Sequence, residues 1–463
     1  MTEQLKLKLN DSKATRWGAL VIVAFTMMAA YYVNDVVAPL KTMLETDLAW
    51  SSTDFGFFTG GYSFLNVFFL MLIWGGLILD RFGIRFTGKL ATILMVGGTA
   101  LEYYAMTGLA GADAPLFGIN EIFGYKTGVF VAFAGYSIFG VGAEVAGITV
   151  SKIIAKWFKG KELATAMGVQ VALARIGSQA GYAVAIPLAR AFGISTPVLL
   201  GLVLLLGGMI AFFVFAVMDK KLDKQMEAAA IAAGTEDEEE KFSFKDVKNI
   251  LVNPGFWLIA LLCVLFYSCV FPFQKFASEL MIIKYGINEN VAGTFAGLPA
   301  LGALILTPVF GGFIDKRGKS ASIMLLGSAM LICVHFIYAI PDINYWLVAI
   351  VLMIILGIAF SLVPSAMWPA VAKIFPVSQL GTAYALIFFI QNIGLWGIPT
   401  LIGWVLDAYC ISGKKPDGTN MYDYTVPMCI FTGIACLSLI VALLLKKADK
   451  KYGYKLEEPN IQK

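Results

Sequence analysis

Two charged side chains, Glu144 and Arg175, interrupt long apolar stretches of this sequence. A charge in the hydrocarbon core of a membrane costs about 2.5–3.5 kcal/mol on insertion scales, so such residues face a bundle interior or a watered cavity. A guanidinium presents a planar fork of donors to a carboxylate, and a glutamate accepts hydrogen bonds from an ammonium group. The pair therefore predicts a site for a zwitterion, such as an amino acid or short peptide. The alternative is a salt bridge that only docks the two segments on each other.

Four further ionisable residues lie within apolar stretches: Asp35, Glu102, Lys275 and Glu279. Asp35 follows Tyr31 by one helical turn and is predicted to bind substrate or carry a proton, because burial disfavours a charged carboxylate; its alternative is a satisfied polar group at a helix end. Lys275 and Glu279 are spaced i, i+4, which predicts that they pair with each other; both are also candidates for coupling. Glu102 is a candidate for packing or gating.

The composition indicates that these residues belong to membrane-spanning helices. Of 463 residues, 59% are hydrophobic and only 14% are charged, with a mean hydropathy of +0.78. A helix needs about 20 mostly apolar residues to cross the hydrocarbon core. The sequence predicts an all-α membrane protein with twelve transmembrane helices at residues 17–40, 53–79, 89–109, 128–151, 163–189, 196–218, 255–282, 291–314, 320–340, 345–370, 379–407 and 425–446.

The distribution of basic residues predicts the orientation. If both termini are cytoplasmic, the cytoplasmic segments hold 27 of the 35 Lys and Arg residues. Cytoplasmic loops of membrane proteins carry this excess. The exceptions are Lys41, Lys126, Arg190, Lys284, Lys414 and Lys415 on the other side, and Arg175 and Lys275 within spans.

The chain also repeats itself, which predicts two pseudo-symmetric six-helix halves. Residues 75–85 are echoed by residues 311–319, and residues 155–166 by residues 372–383. The predicted organisation is a cytoplasmic N-terminus (1–16), an N-terminal half (17–218), a cytoplasmic linker (219–254), a C-terminal half (255–446) and a cytoplasmic tail (447–463). The linker carries an acidic run at 236–240, interpreted as a solvated connector.

The repeat places uncharged residues opposite the charged pair. Glu144 corresponds to Ser361 and Arg175 to Asn392. A purely structural ion pair could recur in both halves, so a pair confined to one half favours a binding site. The predicted substrate-binding residues are Glu144, Arg175, Tyr31, Asp35, Ser361, Asn392, Gln391 and Trp368.

The pattern formed by Gly76, Asp80, Arg81, Gly83 and Arg85 resembles the signature loop of the major facilitator superfamily. Its second copy contains Asp315 and Arg317. An aspartate at a helix end can pair with a nearby basic residue or cap a facing helix. These two loops are therefore predicted to latch the cytoplasmic face in one conformation and to release it in the other.

A more specific resemblance covers nearly all the spans. Residues 141–144, 157–163, 174–178, 368–369, 379–384 and 391–394 are similar to the lysosomal dipeptide uniporter group of that superfamily. The resemblance implies that Glu144 meets a peptide amine and Arg175 a peptide carboxylate.

The predicted function is secondary transport of a small organic solute by alternating access, with dipeptides or amino-acid-like zwitterions as substrates and uniport or proton coupling as the mode. The alternatives are an organic-anion transporter that uses Arg175 alone, for which a second buried charge at Glu144 is unfavourable, and a nutrient receptor that does not transport. No Walker motif or catalytic constellation is present in the sequence. We therefore expect no enzyme activity, cofactor, metal or nucleic-acid partner. The expected partners are the small-molecule substrate and the lipid bilayer, and the expected functional unit is a monomer.

The location follows from sorting and glycosylation signals. No clear sorting dileucine lies near the start, and the only Asn-x-Ser/Thr sequon, at Asn10, is on the predicted cytoplasmic side. Lysosomal proteins carry such sequons in luminal loops. The sequence favours a bacterial inner membrane, with the lysosomal membrane as the alternative.

Overall fold

The computed structural model describes residues 8–109, 115–116, 118–158, 161–233 and 244–459, and nearly all of them are helical. The acidic run at 236–240 and residues 159–160 lie outside the described residues. The helices are α1 (Lys13–Val36), α2 (Lys41–Asp47), α3 (Ser52–Phe68), α4 (Met71–Thr107), α5 (Thr127–Trp157), α6 (Leu163–Phe192), α7 (Thr196–Ala233), α8 (Phe244–Leu251), α9 (Pro254–Tyr285), α10 (Glu289–Ala296), α11 (Leu298–Arg317), α12 (Ser320–Ala339), α13 (Trp346–Ile374), α14 (Val377–Tyr409) and α15 (Thr425–Tyr452).

Two small antiparallel hairpins lie in loops. They are β1 (Glu121–Ile122) with β2 (Tyr125–Lys126), and β3 (Ile411–Lys414) with β4 (Asn420–Tyr422). Both lie at the end of the helix bundle opposite residues 8 and 459, the first and last residues that the structure describes. We call that end the outer face, and the end that carries residues 8 and 459 the terminal face.

By length and composition, the described helices supply nine to ten of the twelve membrane crossings that the sequence predicts. Nine spans, two of which combine a short helix with a long one, are long and apolar enough by themselves. The pair α3 and α4, bent by 58°, counts as one further span, and α4 itself turns at Gly83. Gly83 has φ +76°, a conformation that glycine adopts without the steric cost of a side chain. α6 (30 residues) is not among these spans, and its apolar sequence is interrupted by Arg175.

The helices form two halves that repeat the same packing. The contacts of α1 with α6, of α3 with α5 and of α4 with α7 recur as those of α9 with α14, of α11 with α13 and of α12 with α15. The prediction of an all-α membrane protein with two pseudo-symmetric halves is therefore confirmed. The halves meet mainly where α3 packs on α14 and where α6 packs on α10 and α11.

The last helix of the first half is longer than predicted. α7 continues past residue 218 to Ala233, so the first part of the predicted linker is helical. This extension is polar but rich in good helix formers, so hydropathy alone misses it. At its start, Asp219 is buried and accepts hydrogen bonds from Lys156 Nζ at 2.8 Å and Trp157 Nε1 at 2.9 Å. The extension is thereby fixed to the terminal end of α5.

At the outer face, the two halves pack closely against each other because small residues lie at the contact. A Cβ at Gly403 of α14 would overlap the carbonyl oxygen of Ser52, and a Cβ at Gly56 of α3 would overlap that of Pro399. Such residues let helix backbones approach closely within a membrane. Asp407 of α14 also accepts a hydrogen bond from the backbone N–H of Thr53 at 2.5 Å, at the N-terminus of α3. Close packing and a helix cap therefore both hold α3 to α14.

We predict that Gly403→Ala disfavours closure at the outer face. The added methyl group meets backbone atoms that cannot move aside, and overpacking of this kind costs about 1–3 kcal/mol. The measurement is labelling by a membrane-impermeant maleimide, added from the outer side, of a cysteine introduced at Thr59, compared with the protein that has only its native cysteines. Thr59 lines the central cavity and is 4% exposed. Labelling should rise.

The matched control is Gly397→Ala on the same helix, where an added Cβ meets nothing within 4 Å. It should leave labelling unchanged. Equal labelling of the two glycine variants would show that the α3–α14 contact does not control access from the outer side.

Candidate functional site

A cavity of about 1400 Å³ lies between the two halves. Its inner end is lined by Tyr31, Tyr136 and Lys275 in the middle of the bundle, and its walls continue to Asp80 and Gly381 at the terminal face. Because the halves are packed together at the outer face, the structure is the state that opens toward the terminal face.

The first signature loop makes its ion pairs within its own half in this state. Asp80 lies on the cavity rim, is 69% exposed at its side chain, and pairs with Lys152 of α5 at 3.0 Å. Arg85 pairs with Asp223 at 2.6 Å and lies 3.6 Å from Asp219. This arrangement is compatible with an open terminal face, and the predicted latch role of the loop stays a prediction.

The remaining signature residues are placed as follows. Gly76 lines the cavity, and the Arg81 guanidinium lies 5.6 Å from the ring centre of Phe82. Asp315 and Arg317 lie in the last turn of α11. Beside them, the chain near Glu457 runs along the loop after α11, because the backbone N–H of Lys319 donates to the carbonyl of Glu457 at 3.1 Å.

Glu144 reaches the cavity from the middle of α5. Its Oε1 accepts a hydrogen bond from the Tyr62 hydroxyl at 3.0 Å. One turn earlier, Gly140 allows this contact, because a Cβ there would overlap the carbonyl oxygen of Tyr62. A neighbouring helix, α3, thus comes close to α5 at Gly140, and the hydrogen bond from its Tyr62 orients the carboxylate.

Arg175 reaches the cavity from α6, between aromatic rings of the two halves. Its Cζ lies 4.9 Å from the ring centre of Phe360 and 5.7 Å from that of Tyr31. Gly177 brings α6 close to α1, since a Cβ there would overlap the carbonyl oxygen of Met28. Both rings lie within cation–π distance of the guanidinium, and Arg175 lines the cavity.

Arg175 and Glu144 line the same cavity without pairing. Within the described part of the chain, no carboxylate lies within salt-bridge distance of Arg175, and Glu144 accepts only from a neutral hydroxyl. The alternative of a salt bridge between them is therefore not what the structure has. A cation and an anion are both available to a ligand.

The predicted pairing of Lys275 with Glu279 is wrong. Lys275 donates to the carbonyl of Asn34 at 2.5 Å and lies 3.2 Å from Asp35, whereas Glu279 lies 2.5 Å from Lys41. Both α9 residues thus reach across to the first half. Spacing along one helix is a weak constraint in a bundle, because another helix can supply a closer and better buried partner.

Asp35 lies behind the cavity wall. Its carboxylate accepts hydrogen bonds from Ser178 at 2.6 Å and Asn34 at 2.8 Å, in addition to its contact with Lys275. Asn34 and Lys275 line the cavity, but Asp35 does not. In this state Asp35 does not reach the cavity, so it does not contact a ligand there directly. It can act on a ligand indirectly, through Lys275.

The four residues predicted from the second half divide into two groups. Trp368 and Gln391 line the cavity. Ser361 and Asn392 do not line it in this state, and their predicted contact with substrate stays a prediction. The Ser361 hydroxyl donates to the carbonyl of Gly357 at 2.7 Å, and the Asn392 amide donates to that of Phe388 at 3.0 Å, so both bond to their own helices.

Several cavity residues were missed by sequence reasoning. Tyr62, Tyr136, Tyr267 and Phe360 line the cavity and contact the charged groups or one another. Aromatic residues are common in spans and are usually packing residues. No sequence signal separates the four from the rest.

Glu102 of α4 is fully buried, and neither carboxylate oxygen has a hydrogen-bond partner among the described residues. It is not part of the cavity wall. Its predicted role in packing or gating stays a prediction.

Comparison with known proteins supports the resemblances. The human (Homo sapiens) lysosomal dipeptide transporter MFSD1 is 29% identical over 454 residues, 95% of this chain and 88% of its own. The chicken (Gallus gallus) protein of that name is 33% identical over 287 residues, 59% of this chain and 62% of its own. These relatives confirm the resemblance to the lysosomal dipeptide transporter group.

Solved structures show the same fold. The nucleoside transporter NupG superposes with a TM-score of 0.68 at 12% identity, covering 92% of this chain and 98% of its own. A D-xylose–proton symporter superposes with a TM-score of 0.64 at 15% identity, covering 93% and 97%. A sequence profile described as Major Facilitator Superfamily matches residues 20–399 and 272–458. These matches cover most of the chain and agree with its two halves and central cavity, so the chain belongs to the Major Facilitator Superfamily and is a membrane transporter rather than an enzyme.

Proposed function

We propose that this transporter carries dipeptides or similar amino-acid-like zwitterions. The observation that carries the proposal is the pair of unpaired opposite charges, Glu144 and Arg175, on one cavity between the halves. The substrate amine would bind Glu144 and the substrate carboxylate would bind Arg175.

The geometry around each charge suits these roles. The rings of Tyr31 and Phe360 lie within cation–π distance of Arg175, whose fork of donors fits both oxygens of a carboxylate. Tyr62 occupies Oε1 of Glu144, so the other oxygen is left for an ammonium group. Together the two charges would replace the hydration that both ends of a zwitterion lose on entering the cavity.

The remaining walls favour tolerance toward side chains. Tyr267, Phe271, Phe360 and Trp368 give the cavity an aromatic side. A volume of about 1400 Å³ exceeds the 300–1,000 Å³ typical of ligand pockets, so bulky side chains and water would fit beside a bound peptide. Selectivity would therefore rest on the charged ends of the substrate.

The relatives' names support this substrate class, because they are called dipeptide transporters. The structural neighbours are named for a nucleoside and for xylose, so the fold by itself does not select a solute.

Transport would proceed by alternating access of a single copy of the chain. A substrate shifts the equilibrium between two states only through its different affinity for them. Arg175 contacts a ring from each half, so a carboxylate bound there would sense the spacing of the halves. The mode is uniport or proton coupling, and in the second case the bridge between Lys275 and Asp35 is the candidate coupling element.

Two alternatives make different predictions. An organic-anion transporter would need Arg175 alone and would leave Glu144 as an unfavourable charge beside its substrate. A receptor would bind solutes without counterflow in vesicles. A thermal-shift screen with dipeptides, amino acids and carboxylic acids, followed by counterflow in proteoliposomes, separates the three functions.

The chain is a multi-pass membrane protein. For its location we propose a bacterial inner membrane, supported by the sequence's single sequon at Asn10, which is on the predicted cytoplasmic side. The excess of basic residues supports cytoplasmic termini in either membrane. The relatives are named as lysosomal, which supports the lysosomal membrane as the alternative. Fractionation of the native membranes distinguishes the two.

We predict that Arg175→Lys lowers dipeptide affinity by about 10–100-fold, because hydrogen bonds to charged groups contribute about 1.5–3 kcal/mol and a lysine lacks the fork. Arg175→Ala should abolish counterflow in proteoliposomes. The measurements are substrate-induced thermal stabilisation and counterflow, with an unchanged size-exclusion profile as the control for folding. Wild-type affinity in Arg175→Lys would contradict recognition through the fork.

We predict that Glu144→Gln weakens binding of dipeptides with a free amine by about tenfold or more, because the charged acceptor is lost. Dipeptides whose amine is acetylated should bind the variant and the wild type equally. The measurement is competition by each pair of peptides against a common labelled substrate. Equal loss for both peptides would remove the amine role and favour the organic-anion alternative.

We predict that Lys275→Met and Asp35→Asn each destabilise the protein more than the double variant does. Removing one partner of a buried pair costs about 3–5 kcal/mol, because the other charge stays buried. The measurement is a double-mutant cycle on thermal unfolding. Lys152→Met, at an exposed pair with Asp80, is the control and should cost less than about 1 kcal/mol. If the effects of the two substitutions on stability were additive, a direct ion pair between Lys275 and Asp35 would be contradicted.

A further inference from the structure

Four charged side chains form a closed square at the outer face. Lys41 Nζ lies 2.5 Å from Glu45 Oε1 and 2.5 Å from Glu279 Oε2, and Lys415 Nζ lies 3.8 Å from Glu45 Oε2 and 3.7 Å from Glu279 Oε1. We call these four residues the outer charge square. Each carboxylate contacts both lysines, and each lysine contacts both carboxylates.

The outer charge square is excluded from water. The side chains of Lys41, Glu45 and Glu279 are 1%, 5% and 0% exposed, and that of Lys415 is 15% exposed. The Ser52 hydroxyl donates to Glu45 at 3.1 Å, and the Tyr424 hydroxyl donates to Glu279 at 2.5 Å. The carboxylates are thus held in place by hydroxyl groups as well as by the lysines.

The square is divided evenly between the two halves. Lys41 and Glu45 belong to α2 of the first half, spaced i, i+4, whereas Glu279 belongs to α9 and Lys415 follows β3 in the second half. Two of its contacts, Lys41 with Glu279 and Lys415 with Glu45, cross between the halves. The other two lie within a half.

We infer that the outer charge square is the latch of the outer face, divided so that the two halves separate as two neutral pairs. When closed, it joins the halves by two ion pairs away from water. When the outer face opens, Lys41 keeps Glu45 and Glu279 keeps Lys415.

This division matters for transport because it limits the cost of opening. A single salt bridge across a gate leaves a bare cation on one side and a bare anion on the other, and each must be hydrated before the halves can part. Here each charge retains an opposite charge of its own half throughout. The latch thus aligns the halves through its cross-contacts without trapping the transporter in one state.

Reversing the charges of one half tests the latch. In Lys41→Glu with Glu45→Lys, the first half keeps its own neutral pair, but like charges now meet across the gate. Repulsion at about 4 Å should favour opening, so labelling of the Thr59→Cys protein from the outer side should rise by about tenfold. The equivalent reversal in the second half, Glu279→Lys with Lys415→Glu, should raise labelling in the same way. It replaces the first variant in the experiment if that variant does not fold.

The combination of both reversals is the decisive control. The quadruple variant restores opposite charges at all four contacts, and we expect labelling and thermal stability to return close to the wild type. Labelling needs no substrate, so the result is independent of the proposed dipeptide specificity. Unchanged labelling in both single-half reversals would overturn the latch, and failure of the quadruple variant to restore closure would overturn the charge pairing as its cause.

Discussion

The structure depends on the high cost of an unpaired charge away from water. Three of the six ionisable residues within the spans, Asp35, Lys275 and Glu279, meet this constraint by pairing. Arg175 meets it differently, because it opens onto a cavity that reaches the terminal face. A lone cation in the middle of a membrane protein is tolerable only where water or a ligand reaches it, so its lack of a partner within the described chain points to binding.

The same constraint explains how the conformational state is held. At the outer face, charges pair across the halves, as Lys41 does with Glu279. At the terminal face, Asp80 and Lys152 pair within one half. These contacts between the halves therefore lie on the closed side. In the proposed alternating access, a change of state would replace them by contacts on the other side. Lys275 and Asp35 lie between the two faces and bridge the halves at the inner end of the cavity.

Much of this arrangement could be predicted from the sequence, because a membrane-spanning segment must be helical, apolar and about 20 residues long. Apolar length predicts the spans, the repeat predicts the two halves, and the cost of burial singles out Glu144 and Arg175. The repeat was less informative about which side chains line the cavity. Ser361 and Asn392 were taken from the repeat, which predicts depth in the membrane but not the direction of a side chain on its helix.

Contacts between different helices could not be predicted from sequence patterns either. The choice of Asp35 as the partner of Lys275, and the hydrogen bond from Tyr62 to Glu144, depend on how separate helices pack. Helix spacing predicts partners only on the same helix, and a single sequence contains no direct record of which helices are neighbours.

The charge balance of the cavity bears on the mode of transport. With Glu144 ionised, Arg175 and Glu144 carry no net charge together, and a zwitterion carries none either, so binding would leave the net charge of the cavity unchanged. The loaded and the empty transporter would then move the same net charge through the membrane, and neither would need an accompanying ion to change state. An anionic substrate would instead leave Glu144 uncompensated, and a proton or cation would have to neutralise it. The pair of opposite charges therefore favours a zwitterion carried by uniport over an anion carried by exchange or symport.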